Sequence, residues 1–328
     1  AGAAVAGGVN AMLSPTTTAR ICLLGALSPV GRCATFDAAA DGYGRGEGFA
    51  CVLMRKVADV AGDRPPLAFL AGSAVNQDGR SSSLTAPSGP AQRALVAAAL
   101  AVAALPPASV SSVAVHGTGT PLGDPVELGA LGAALGGGRP ATHPHPHPHP
   151  HPRSLPTPAL VTLLVATKSV FGHTEGAAGV AGLLAAVAAV GRGPAPPVTN
   201  LRAVNPYVRA ALDGWGGGGW GGSGEGVKRA RGVPLRGSGC PPAPPLPSTP
   251  VAAGASSFGM SGVNAHALVV GGGDGAVGLP SPSPLPWRRA RAWPAPPTGA
   301  VLVVVAPSPL SSTTTHATFS WPLAATPA

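Results

Sequence analysis

HGTGTPLGDPVE, residues 116–127, follows the apolar run Val113–Val115, and TKSVFGHTEGAAG, residues 167–179, follows the run 161–166. In both places β-branched and apolar residues give way to Gly, Thr and Ser with a histidine just beyond, the pattern of a buried strand leaving its sheet. His116 and His173 are therefore expected to project from strand ends into one shared cleft, where α/β sheets bind their ligands. Working outward, apolar runs at 51–53, 67–71 and 267–270 read as further strands. Residues 91–104, 126–135 and 175–190 read as helices, because apolar residues recur at helical spacing without internal proline. Strands alternating with helices predict an α/β fold around a buried sheet.

Composition bounds the function classes. The 328 residues are 45% hydrophobic, enough for a sizeable core, yet they contain 48 Gly and 40 Pro and only 10% charged side chains. The Gly and Pro concentrate in three tracts: about 136–158, with five His-Pro steps, about 214–250, and 271–328, a Pro/Ser/Arg-rich tail. Such tracts bury too little apolar surface to offset their ordering entropy, so they are expected to be disordered insertions and a disordered tail. They also carry nine basic against two acidic residues, +7 of the net charge of +9. A basic stripe on a folded face is thus missing, and with 4% aromatic residues nucleic-acid binding is not expected.

Cys22, Cys33, Cys51 and Cys240 form no CxxC pair and no disulfide framework, which suits a reducing compartment. The cytoplasm is expected, with a plastid as the alternative. The longest apolar stretch, 176–191, is shorter than the roughly 20 residues a membrane span needs and reads as a buried helix. The imidazoles of the tract 143–152 alternate with prolines, which favour an extended solvated chain over a closed coordination sphere, so no metal site is expected.

Seven blocks in order carry a resemblance: AGGVNAML (6–13), LSPVGRCATFDAAADGYGRGEG (27–48), NQDGRSSSLTAP (76–87), the two histidine motifs, NLRAVNP (200–206) and SSFGMSGVNAH (256–266). Together they resemble the ketosynthase of modular type I polyketide synthases, a branch of the β-ketoacyl synthases in the thiolase-like superfamily. The likeness implies a layered αβαβα thiolase-like fold, present in part. Residues 1–60 are expected to be the end of the N-terminal half and 61–270 the C-terminal half with its insertions. It also implies decarboxylative condensation of malonyl-type thioesters with an acyl chain, in polyketide or fatty-acid biosynthesis. No cofactor is bound directly, because the substrates ride on the phosphopantetheine of an acyl carrier protein. The partners implied are that carrier, a second ketosynthase copy in a homodimer, and other polyketide synthase domains, with no membrane span.

By the same resemblance, His116 and His173 donate N–H to the developing enolate oxygen, an oxyanion-hole strategy. Lys168, beside Asp124 and Glu127, forms a network that orients His173; a structural ion pair is the alternative reading. Thr85, Thr118 and Thr120 line the pantetheine tunnel, where small hydroxyls can bond the arm's amides. Residues 256–266 read as a glycine-broken loop in which Met260 gates the acyl pocket, Phe258 and Asn264 support the loop, and His266 is structural. The family's nucleophilic cysteine lies in a DTACSSSL-like segment before the AGGVN block. None of the four cysteines has such surroundings, so no nucleophile is expected among these residues, and the chain alone is expected to be inactive. Two other readings compete: a non-catalytic ketosynthase-like scaffold for dimer contacts or carrier docking, and a chain-release or plain decarboxylase activity using the histidines without the cysteine.

Overall fold

The structure, a computed structural model, describes residues 3–57, 66–81, 83, 86–136, 162–192, 198–215 and 252–271. Thr85, Cys240, the His-Pro tract, most of both expected insertions and nearly all of the expected tail lie outside the described residues. Among the described residues seven strands make two sheets. β1 (Ala3–Asn10) and β2 (Gly48–Arg55) form an antiparallel ribbon, with α1 (Pro15–Leu23) between them in sequence. β3 (Ala68–Gln77), β4 (Val110–Ala114), β5 (Leu163–Val165), β6 (Ala252–Phe258) and β7 (Val263–Gly271) form a five-stranded sheet in the order β3-β7-β6-β4-β5.

β4 is parallel to both neighbours and buried along its whole length, as a central strand of small and β-branched residues should be. α2 (Gly89–Ala103), α3 (Gly123–Leu135) and α6 (Pro206–Gly214) cover one face of the sheet. There Val96, Leu100, Val113, Leu128, Leu131, Val208 and Leu268 make the main core. α5 (Ala178–Arg192) covers the other face through Ala186 and Ala189 against Ala114, Ala253, Ala255 and Val269. The ribbon lies on the far side of α5, giving helices, sheet, helix and ribbon in successive layers. The approach of ribbon to helix is so close that a Cβ at Gly8 would run into the Gly176 carbonyl oxygen.

Several sequence expectations change in detail. The stretch expected as a loop, 256–266, is mostly sheet: β6 and β7 are a hairpin whose turn, Gly259–Gly262, is closed by the Gly259 N–H on the Val263 carbonyl at 2.7 Å. The glycines that suggested a loop are its turn residues. The helix expected from 175 begins as a 3-10 turn, Glu175–Ala177, before becoming α5. Expected as a buried helix, α5 is largely half-buried over its described residues, with Ala178, Gly182, Ala186 and Ala189 as its buried residues. Trp215, expected in an insertion, is buried against Gly132 of α3.

Candidate active site

His116 lies two residues past the end of β4, as expected for a strand-end residue. His173 does not follow β5 directly: the chain first makes one short helix, α4 (Lys168–Phe171), and a left-handed Gly172. The two imidazoles nevertheless meet edge to face, their centroids 5.6 Å apart. Phe258 flanks His116 at 5.3 Å and Tyr43 flanks His173 at 4.9 Å.

Both rings are anchored through the same atom. The Phe258 N–H, at the end of β6, donates to His116 Nδ1 at 3.2 Å, and the Glu175 N–H donates to His173 Nδ1 at 3.0 Å. A neutral imidazole that accepts at Nδ1 carries its proton on Nε2, so each ring keeps one N–H free to donate. Neutrality follows from the surroundings. Burial, with Lys168 and then His173, holds His116 well below the usual imidazole range. Burial and Lys168 push His173 down to about 3.

The acids hold the main chain around His116. Glu127 Oε1 accepts from the His116 N–H at 2.7 Å and Oε2 from the Gly117 N–H at 2.8 Å. Asp124 Oδ2 accepts from the Phe36 N–H at 2.8 Å and Oδ1 from the Gly119 N–H at 3.1 Å. Gly119 is needed there, since its φ is +77° and a Cβ would lie 2.8 Å from the Ala34 nitrogen. Lys168 is buried with these carboxylates. Burial pushes the Glu127 carboxyl up and the Lys168 ammonium down, and each is partly held by the other's charge. Two N–H donors, one on each Glu127 oxygen, suit the carboxylate form. Burial also raises Asp124 to about 6, against the pull of its N–H donors and Lys168. The network expected around His173 thus fixes the His116 loop by direct bonds and reaches His173 by the field of Lys168.

His173 is held by a block to which sequence reading attached no role. Its N–H donates to the Gly44 carbonyl at 2.7 Å, and its carbonyl accepts from the Gly46 N–H at 2.8 Å. Arg45 between them donates from Nε and Nη2 to the Glu175 carboxylate at 2.6 and 3.1 Å, and from Nη1 to Thr18 at 2.7 Å. Asp37 also had no assigned role. Burial would raise its carboxyl, but the N–H groups of Ala39, Arg202 and Ala203 outweigh that and hold it below the usual range. The signal available in sequence was the density of Gly around single charges in GYGRGEG, where backbone must pass close to backbone.

The other expected residues sort by place. Thr118 is buried with its hydroxyl 3.4 Å from that of Thr120, which accepts the Gly123 N–H at 3.2 Å, at the start of α3. Met260 stands exposed on the β6–β7 turn. Asn264 donates to Asp78 Oδ1 at 2.7 Å and pins that hairpin to the end of β3. His266 is buried and shares a hydrogen bond with Ser256 across the hairpin at 3.0 Å, an arrangement suited to a structural residue. Cys33 is buried, with its thiol 3.5 Å from the Gly44 carbonyl and its pKa raised by burial, the opposite of an activated thiolate.

Comparison with known proteins places this geometry. Residues 1–59 match the family model described as "Beta-ketoacyl synthase, N-terminal domain", and residues 67–146 and 154–202 the one described as "Beta-ketoacyl synthase, C-terminal domain". The chain is 40% identical over 268 residues to one of the phenolphthiocerol/phthiocerol polyketide synthase subunits of Mycobacterium tuberculosis, covering 81% of this chain and 12% of that protein. Another subunit of the same synthase is 40% identical over 272 residues, 83% of this chain and 15% of that one. Among solved structures, the ketosynthase from module 6 of the bacillaene synthase of Bacillus subtilis 168 superposes with a TM-score of 0.65 at 29% identity, over 82% of this chain and 42% of the other. The oxazolomycin ketosynthase domain of Streptomyces albus JA3453 gives 0.65 at 30%, over 83% and 42%. The chain therefore spans under a sixth of these synthase proteins and under half of each solved domain. On these matches it belongs to the β-ketoacyl synthases, with the thiolase-like fold of the polyketide synthase ketosynthases.

Proposed function

We propose that these residues are the C-terminal part of a ketosynthase that condenses a malonyl-type thioester, carried on the phosphopantetheine of an acyl carrier protein, with a bound acyl chain. Carbon dioxide leaves the malonyl group, and its bonding pair becomes the enolate carbanion. The carbanion attacks the acyl thioester carbon, forming the new carbon–carbon bond as the acyl C–S bond breaks and the thiolate that carried the acyl chain departs. Negative charge meanwhile gathers on the thioester oxygen. His116 and His173 donate Nε2–H to that oxygen, each donor worth about 3 kcal/mol in a water-excluded site.

The observation that carries this reading is the pair of backbone N–H groups on the two Nδ1 atoms, which leaves two neutral donors side by side. Glu127 and Asp124 act as positioning residues for the His116 loop, and Lys168, buried with them, acts on His173 through its charge. Thr118 and Thr120 receive the pantetheine arm, as does Thr85. Met260 gates the acyl pocket while Phe258 and Asn264 hold its hairpin. The nucleophile is not one of this chain's cysteines, so the chain alone does not take up an acyl group. The carrier, a second ketosynthase copy and further synthase domains are its partners, and no resident cofactor is required. Among the described residues no helix is long and apolar enough to cross a membrane.

The kinship with polyketide synthases favours this enzyme reading over a non-catalytic scaffold. Malonyl-carrier decarboxylation by the complete synthase tests it. His116→Ala and His173→Ala should each slow that step by on the order of 100-fold or more, the scale for one lost oxyanion donor. Both variants folded and decarboxylating at the parent rate would refute it.

A further inference from the structure

Glu175 is one of four non-glycine residues with positive φ among the described residues, at +40°, and it is the residue whose N–H holds His173 Nδ1. A side chain in that conformation crowds its own backbone, and such a residue persists only where its surroundings hold it. Backbone bonds run through the turn, from the Ala177 N–H to the Thr174 carbonyl and from the Ala178 N–H to the Glu175 carbonyl, and one side chain holds the Glu175 carboxylate. The Arg45 guanidinium grips the Glu175 carboxylate through two N–H groups and is itself tied to α1 through Thr18. The Arg45 side chain is 6% exposed and that of Glu175 27%, so the pair is partly shielded from solvent and doubly hydrogen-bonded, unlike a freely solvated surface pair. The same Arg45 main chain bridges His173, between the Gly44 and Gly46 bonds to that residue.

We propose that Arg45 and Glu175 are positioning residues for the oxyanion site: their ion pair holds Glu175 in its left-handed turn, so that its N–H fixes His173 in the Nε2–H tautomer. The turn sends the chain into α5 while the peptide before it points back at the imidazole. Without the guanidinium, Glu175 relaxes toward negative φ, the N–H swings away, and His173 Nδ1 becomes free to carry the proton. Neither residue touches the substrate. The inference rests on the proposed function for its meaning, but its test does not.

Nitrogen-15 NMR of the full 328-residue chain distinguishes Nε2–H from Nδ1–H imidazoles, with His173→Gln identifying the resonance. In the parent both His173 and His116 should be Nε2–H. Arg45→Ala and Glu175→Ala should lower the Nε2–H to Nδ1–H ratio of His173 by about tenfold, the scale of one left-handed non-glycine residue. His116, held by Phe258 instead, should not change. Glu175→Gly keeps the N–H and adopts the turn without help, so it should fold and restore the parent ratio. That rescue separates the proposal from a pair that merely ties α1 to α5. The proposal is overturned if folded Arg45→Ala keeps the parent tautomer, or if folded Glu175→Gly loses it. A parent chain with both tautomers as expected, in a synthase whose histidine variants decarboxylate normally, would instead sink the proposed function and leave this inference standing.

Discussion

Acid should weaken this fold through His173 in particular. An exposed imidazole titrates at about 6.5, whereas burial and then the Lys168 ammonium push this one down to about 3. Between those values the unfolded chain binds a proton that the folded chain does not. Stability owed to the neutral ring is therefore fully present above 6.5 and is lost as the pH falls toward 3. From pH 7 to pH 4 the loss amounts to at most about 3 kcal/mol, since each unit of difference is worth about 1.4 kcal/mol. His173→Asn isolates it: the amide oxygen can take the place of Nδ1 in accepting the Glu175 N–H, and it cannot take up a proton. Urea unfolding of parent and variant at both pH values supplies the assay. The parent should lose about 2–3 kcal/mol more than His173→Asn on acidification. Equal losses, or an NMR titration in which folded His173 gains its proton above pH 5, would refute the reasoning.

Asp124 should behave in the opposite sense: burial raises it to about 6, so the folded state binds a proton more tightly than the unfolded chain and stability falls as the pH rises from about 4 to 6. Asp124→Asn should flatten that slope in the same unfolding assay. Gly119→Ala should cost about 2 kcal/mol or more, because the added Cβ meets the Ala34 nitrogen at a left-handed position; calorimetry would show it as a lowered Tm. Ser256→Ala removes the hydrogen-bond partner of buried His266 and should cost about 1–3 kcal/mol, read from denaturant midpoints. Intact mass spectrometry with acyl-carrier thioesters should find no stoichiometric adduct on the isolated chain, and Cys33, with its raised pKa, should be the slowest of the described cysteines toward iodoacetamide.

What could be read from sequence was whatever carried local periodicity or a motif. β4, β5, α2 and α3 announce themselves by apolar runs and helical spacing, and the two histidines by the break at the end of each run. β1 (AAVAGGVN) and β6 (AAGASSF) escaped because they are built from Ala, Gly and Ser, which suit close packing against α5 but carry little β signal. α6 carries a start signal, since Asn205 caps it by accepting the Tyr207 N–H and Pro206 occupies the first turn, but its nine residues run into a glycine tract and are too few for a clear helical period. Arg45, Tyr43 and Asp37 were beyond local reading. Their partners His173, Glu175 and Arg202 lie more than a hundred residues onward, and only the folded chain brings them together.

The bonds that aim the two imidazoles have a consequence for the order of folding. Phe258 reaches His116 across 142 residues, Arg45 reaches Glu175 across 130, and Phe36 reaches Asp124 across 88. Contacts between such distant residues form late, because the loop-closure entropy falls due before the contacts return anything. A partly folded chain can thus hold α2, α3 and the β6–β7 hairpin while its histidines remain ordinary solvated imidazoles titrating near 6.5. The protonation state of His173 becomes a clock for refolding: in stopped-flow experiments at pH 6, release of its proton should accompany the slowest phase, after most of the helical signal has returned.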